Sequence, residues 1–331
     1  MPLPEKALIA RVRRLAKTSG APGAQGLASA ISSGIGDDCA VLRLPSSKNA
    51  GDDEILVTTD FSLEGIHFRR VWHSPEVVGH RCLTRGLSDV AAMGGTPVAA
   101  FLSLALPRTL AQVWIERFAK SLIGLAKRHG VVLAGGDTAE SPDGILADII
   151  VVGTVPKGRA ILRSGARPGD RIFVSGELGC GVAALVEKMR GRKVRESDYL
   201  RHFYPEARLE LGRALREQRL ASAMIDMSDG LSTDLGHLCE ESGVGAEIKA
   251  DSIPRARVGR PAREVALDLA LHGGDDYELL FTVRPGKHVP EKIAGVTVTE
   301  IGRITRSRKL GLRDATGFIR KLAPRGWEHF R

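Results

Sequence analysis

Four short segments each end an apolar run in a carboxylate: GIGDDCAVL at 34–42, LVTTD at 56–60, GLSDVAAMGG at 86–95 and LAGGDT at 133–138. They bring Asp37, Asp38, Asp60, Asp89 and Asp137 into the first half of a 331-residue chain whose formal net charge is +9. Carboxylates gathered together repel and raise one another's pKa, and divalent cations are the simplest means of holding them ionised. Magnesium takes only one or two protein carboxylates per ion and completes its shell with water and phosphate oxygens. Several aspartates therefore imply several ions and a phosphorylated ligand. Gly34, Gly36, Gly135 and Gly136 flank these aspartates and permit the close backbone approach that metal and phosphate sites need.

Alternating helices and strands must position these groups. Apolar spacing predicts a helix over 5–17, with Leu8, Ile9, Val12 and Leu15 on one side, and strands over 39–44 and 55–59. A long helix starts with Ser74 as N-cap and Pro75 in the first turn and runs to about Met93, where Gly94 and Gly95 stop it. A strand over 98–106 leads to a helix capped by Thr109 and ending near His129, followed by strands over 131–134 and 147–155. The second half repeats the alternation, with strands over 171–175, 223–227 and 277–283 and helices over 182–189, 205–218 and 232–241; the Arg-rich stretch 190–204 reads as a surface excursion. The length exceeds what one core usually serves and 43% of residues are apolar, so two domains of α/β (α+β) class are expected, 1–157 and 158–331, divided at Pro156-Lys157-Gly158.

Several function classes are disfavoured. No apolar run is long enough to cross a bilayer and charges interrupt the N-terminus, so a cytoplasmic protein is expected, with no membrane partner. Cys39, Cys82, Cys180 and Cys239 stand singly, as reduced thiols packed like small hydrophobes rather than a zinc or disulfide framework. From Ile301 to Arg331, nine Lys and Arg oppose two acids. With 5% aromatic residues and no recognisable nucleic-acid motif, this basic tail is assigned to solvation or the steering of polyanions, and no nucleic acid is expected. No G-x-x-x-x-G-K-[ST] loop occurs, and H-R-D and D-F-G are missing. Gly176, Gly179 and Gly181 mimic a dinucleotide turn in reversed spacing and read as an ordinary strand-to-helix turn.

Taken in order, GIGDDCAVL, VTTDFSLEGIHF, LSDVAAMGGTPVAAFLSLALP, LAGGDT, LRSGARPGD, IDMSDGLSTDL and HGGDDYELLFTV resemble bacterial thiamine-monophosphate kinase, of the aminoimidazole ribonucleotide synthetase superfamily. The resemblance spans 34–283 and continues more weakly in IGRIT and GWEHF. It implies a two-domain aminoimidazole ribonucleotide synthetase-like fold, with an N-terminal domain that binds metal and ATP and dimerises and a C-terminal domain that completes the active site. The implied activity of the homodimer is ATP-dependent phosphorylation of thiamine monophosphate to thiamine diphosphate.

Carried over position by position, the resemblance implies magnesium ligands at Asp37, Thr58, Thr59, Asp60, Asp89, Asp137, Asp226 and Asp229. It implies ATP contacts at Gly136, Asp137, Arg163 and Ser228, and substrate contacts at His67, Glu278 and Trp327. Asp37, Asp60, Asp137 and Arg163 are the expected catalytic group, while Asp38 is left as a turn residue or a neighbour of the ligands. Apart from the resemblance, Asp226 and Asp229 serve equally as caps of the following helix, His67 as a strand-edge histidine and Trp327 as a buried tail anchor. Cys39 and Phe61-Ser62-Leu63 depart from the family pattern without removing a ligand. The acceptor phosphate is already a nucleophile, so positioning and charge neutralisation suffice for in-line transfer and no general base is required. Two rivals remain, another ATP-dependent enzyme of the superfamily, selenophosphate synthetase-like or hydrogenase-maturation-like, and a non-enzymatic polyanion binder. Residues 1–36 lack Cys and the chain ends Phe330-Arg331, against the first of these.

Overall fold

The computed structural model describes residues 4–18, 31–43 and 53–329. The side chain of Leu15, the strand end expected at Leu44 and the terminal Phe330-Arg331 lie outside the described residues.

The first sheet contains β1 (Ile31–Ser33), β2 (Ala40–Leu42), β3 (Asp53–Leu63), β4 (Thr96–Pro107), β5 (Val132–Ser141) and β6 (Leu146–Pro156), in the order β1-β2-β3-β6-β4-β5. Only β4 and β5 pair in parallel, and the helix Gln112–Arg128 supplies the crossover that a parallel pair requires. Period-two alternation puts Leu56 and Thr58 of β3 and Ala147, Ile149 and Val151 of β6 on the face that packs against helix Pro75–Ala92.

That helix begins as the sequence dictates. Ser74 accepts from the Val77 amide at its N-terminus, Pro75 occupies the first turn, and Gly94 at φ +66° ends the run. All but three of its 18 residues are buried, because it is enclosed on every side. Its Leu83, Leu87, Val90 and Ala91 share one apolar cluster with Phe173, Leu279 and Phe281 from the second half.

The second half contains β7 (Arg171–Ser175), β8 (Ala221–Asp226), β9 (Gly245–Lys249), β10 (Arg257–Val258), β11 (Arg263–Glu264), β12 (Leu279–Val283), β13 (Lys292–Ile293), β14 (Val296–Thr305), β15 (Leu310–Arg313) and β16 (Ile319–Lys321). Its main sheet runs β16-β15-β9-β14-β7-β12-β8, with β13 paired to β14, while β10 and β11 form a separate hairpin. Phe173 and Phe281 face the central helix, and the alternate residues Ile172, Val174 and Leu280 face Leu235 and Leu238 of helix Leu231–Ser242. The two halves thus meet across the helix Pro75–Ala92.

Some local expectations change. Thr109 does not cap the next helix: Leu110 N–H closes a turn on the Pro107 carbonyl, and helix Gln112–Arg128 starts after Ala111 without a side-chain cap. The expected helix over 205–218 shortens to Leu209–Glu217, and the stretch 190–204 is not wholly superficial, since Glu196–Asp198 and Leu200–Phe203 are helical and His202 and Phe203 are buried. On the N-terminal helix Glu5–Thr18, Leu8, Ile9 and Val12 are exposed rather than buried.

Gly136 sits where β5 crosses closest to β4. Its φ is +152°, and a Cβ there would lie 1.8 Å from the Leu102 carbonyl oxygen. Backbone cannot yield as a side chain would, so Gly136→Ala is expected to cost more than about 1–3 kcal/mol and to lower the thermal midpoint. An unchanged midpoint in differential scanning calorimetry would contradict this packing account.

Candidate active site

The turn before β2, the end of β3, the last turns of the central helix, the linker between the sheets and the C-terminal end of β8 converge on one cleft of about 640 Å³. Its floor is acidic. Asp38, Asp89 and Asp226 present carboxylate oxygens within 4.8 Å of one another, which moves Asp38 from a turn position into the centre of the cluster. Asp38 Oδ1 accepts from the Arg163 guanidinium at 2.7 Å, while its Oδ2 is buried without a partner among the described residues. Ser88 donates to Asp226 at 2.6 Å, and Thr58 donates to Asp89 through a short hydrogen bond.

Burial drives the electrostatics. The Asp226 carboxyl is pushed up to about 8, chiefly by burial and then by Asp38, and Asp89 rises well above the carboxylate range through burial and the charges of Asp60, Asp226 and Asp38. Burial lifts Asp60 to about 6 against the lowering pull of Arg85, with Asp148 and Asp275 adding to the rise. Asp229 moves to about 7, by burial first and Glu5 next. An all-oxygen set of crowded, protonatable carboxylates with one orphaned oxygen is what a hard dication requires, so magnesium fits these residues.

The pH dependence follows with a defined sign. Asp226 and Asp229 hold protons in the folded protein that they lose near the ordinary value of 3.8 when unfolded, so they destabilise the metal-free protein progressively as pH rises toward about 8. The buried His67, His73 and His202, shifted down to about 3, 4 and 3 by burial foremost, act oppositely, but only below their ordinary value of 6.5. The thermal midpoint in chelator should therefore fall between pH 6.5 and 8, and the gain on adding magnesium should be larger at pH 8. Differential scanning fluorimetry reads both, and a midpoint that rises across this window contradicts the assignment.

The remaining expected residues fall into two groups. Thr58, Thr59, Asp60, His67, Asp89, Arg163, Asp226, Ser228, Asp229 and Trp327 line the cleft. Asp37 lies beside it, with one carboxylate oxygen accepting from the Arg163 amide and the other from Ser33, each at 2.7 Å. Asp226 and Asp229 do not cap helix Leu231–Ser242, whose N-cap is Gly230; Asp234 accepts from the loop amides instead. His67 Nδ1 accepts from the Leu63 amide, which leaves its proton on Nε2. Trp327 is 51% exposed and is no buried anchor; its amide donates to the Asp229 carbonyl.

Three others lie elsewhere. Asp137 and Gly136 are on the exposed edge strand β5, where Asp137 stands opposite Ser103. Thr59 lines the cleft but turns its hydroxyl to this same outer face, where it donates to Asp148 at 2.7 Å. Glu278 does not line the cleft: it is buried and clamped by Arg208 through Nε at 2.8 Å and the NH2 group at 2.5 Å, with Ser175 donating to it as well. The glycine-rich turn at 176–181 is committed to structure, since the Gly179 and Gly181 amides donate to buried Asp276.

Residue-type reasoning missed a cation and its anchor. Arg85 lines the cleft one helical turn before Asp89, and with Arg81 it binds Asp275, whose carboxyl burial would raise but these guanidiniums hold far below the usual range. Asp275 and Tyr277 adopt left-handed φ of +65° and +53°, strain of the kind found where function fixes a loop. The i, i+4 spacing of Arg85 and Asp89 was the available signal.

Two sheets joined across a shared helix, with an acidic cleft between them, define a two-domain aminoimidazole ribonucleotide synthetase-related protein. Residues 36–155 match the family "AIR synthase related protein, N-terminal domain" and residues 167–315 its C-terminal domain. The thiamine-monophosphate kinase of Salmonella typhimurium is 36% identical over 316 residues, 91% of this chain and 92% of that protein, and the kinase of Escherichia coli K12 is 38% identical over 315 residues, 90% and 91% of the two chains. A solved structure described as AaThiL complexed with AMPPCP and TMP superposes with a TM-score of 0.83 at 31% identity, covering 100% of this chain and 99% of that one. The chain belongs to the thiamine-monophosphate kinase family.

Proposed function

We propose that this protein transfers the γ-phosphoryl group of ATP directly to the phosphate of thiamine monophosphate, forming thiamine diphosphate and ADP. The observation that carries the reading is the Asp38, Asp89 and Asp226 cluster at the junction of the two halves, beside Arg163 and within a cleft large enough for two phosphorylated ligands. Likeness to a structure described with both AMPPCP and TMP supports the pairing of ligands.

Asp37, Asp38, Asp60, Asp89, Asp226 and Asp229, with the Thr58 and Thr59 oxygens, would hold several magnesium ions. When bound, these ions neutralise the charge of donor and acceptor phosphates. Arg163, fixed by Asp38, supplies permanent positive charge, and Arg85, which also lines the cleft, adds a second. His67 offers an Nε2 proton to a phosphate oxygen, and Ser228 a hydroxyl. Trp327 gives an aromatic face for the cationic thiazolium. These groups orient an acceptor oxygen in line with the γ-phosphorus, so proximity and charge stabilisation do the catalysis.

Asp137 and Gly136 enter this scheme through a homodimer formed on the exposed β4–β5 side of the first sheet, where Phe61, Val98, Phe101 and Val132 stand exposed. Residues 1–157 and 158–331 are the two domains of each subunit. Among the described residues no helix is long and apolar enough to cross a membrane, and ATP use together with four buried free thiols suits the cytoplasm.

The test is incubation with ATP, magnesium and thiamine monophosphate, scored for thiamine diphosphate and ADP. Product from free thiamine instead would overturn the acceptor assignment, and absence of turnover would overturn the enzyme reading.

A further inference from the structure

The loop after β8 and the helix it leads into hold a second set of ligand atoms, which phosphoryl transfer does not use as a set. Asp229, Asp234 and His237 present ligand atoms that all lie within 4.8 Å of one another. Asp234 and His237 are three residues apart on helix Leu231–Ser242 and so project from one face, toward the loop that carries Asp229. Carboxylate and imidazole at this i, i+3 spacing is a recurring way for a helix to grip a metal. Ligands around a shared ion at about 2.1 Å stand roughly 3–4 Å apart, a separation these side chains reach by small torsional adjustments.

Two features show preparation rather than accident. Asp234 is 1% exposed and is fixed in place, its Oδ2 accepting from the Asp229 and Gly230 amides at 3.2 and 2.9 Å. His237 Nε2 is buried and has no hydrogen-bond partner among the described residues. An unmatched buried imidazole nitrogen costs about 1–3 kcal/mol, so its retention calls for an occupant.

The donor chemistry then selects the ion. Magnesium prefers oxygen alone, whereas imidazole with carboxylates suits manganese, cobalt or zinc. We propose that Asp229, Asp234 and His237 bind a transition-metal dication, at a site distinct from the oxygen-only cluster of Asp38, Asp89 and Asp226. Asp229 lines the cleft, so the ion stands at its wall, and the Asp229 carbonyl that accepts from the Trp327 amide ties the C-terminal segment to the same loop.

Full-length protein stripped with chelator and loaded with manganese tests the site by pulsed electron paramagnetic resonance, which reads nitrogen-14 coupling from a ligated histidine. The coupling is expected in the parent protein and in His67→Gln, a variant of one of the histidines that line the cleft, and should be lost in His237→Gln with manganese affinity about tenfold weaker. No coupling in the parent, its loss in His67→Gln or its persistence in folded His237→Gln would each overturn the proposal. Where His237→Gln fails to fold, Asp234→Asn, whose side-chain oxygen can still accept from the loop amides, decides the matter: the coupling should be lost there too, and its persistence overturns the proposal. Magnesium-supported turnover of His237→Gln should stay within about twofold of the parent, which separates failure of this site from failure of the kinase reading.

Discussion

Asp89→Asn is expected to cut turnover by at least about two orders of magnitude while raising the thermal midpoint of the metal-free protein. The loss follows from removing a charge aimed at the phosphoryl groups, an effect of that scale where donors and ions are preorganised. The gain follows from the crowding of the floor: Asp89 is buried and forced well above the carboxylate range, first by desolvation and then by Asp60, Asp226 and Asp38. A neutral amide of the same shape relieves that repulsion and can still accept from Thr58. Activity and stability then move in opposite directions, as at sites where function is maintained at the expense of stability. Steady-state kinetics and calorimetry in chelator check the pair, and a variant that loses both would indicate a structural role for Asp89.

The second large effect lies away from the cleft. Arg208→Ala should destabilise the fold by about 3–5 kcal/mol, the cost of leaving a buried carboxylate without its partner. Glu278 is 1% exposed in its side chain and Arg208 12%, so water cannot replace the lost guanidinium. Ser175 remains, but one hydroxyl cannot balance a full charge. Chemical denaturation measures the loss. At a temperature where the variant remains folded, its KM for thiamine monophosphate should stay close to that of the parent. A raised KM with unchanged stability would instead return Glu278 to the substrate.

The contrast between these two carboxylates shows what a sequence can disclose. Asp60 and Asp89 follow apolar runs whose period fixes the face on which each projects, so their meeting beneath the central helix was legible once that helix had its cap, proline and glycine stop. Asp226 was legible as the end of a buried strand. Glu278 precedes an equally apolar run, yet its environment depends on Arg208, 70 residues earlier and just ahead of a helix that began later than its periodicity suggested. The position of Asp38 turned on Arg163, 125 residues away, and no local pattern encodes such a pairing. Arg85 and Asp275 were hidden for the same reason, since one belongs to each half of the chain. The buried His202 escaped notice because its segment, 190–204, is polar in composition although two of its side chains enter the interior.

The helix Pro75–Ala92, enclosed on all sides, also governs how the molecule can come apart. Its apolar residues belong to one continuous cluster with Phe173, Leu279 and Phe281, so one face of each sheet shares this interior, while the opposite face of the second sheet has its own core with helix Leu231–Ser242. A chain cut near residue 157 would expose the side of this helix that Met224 and Phe281 cover, a contiguous apolar surface that invites aggregation. Both halves must therefore be made before the shared cluster is closed, and the acidic floor is assembled in the same event.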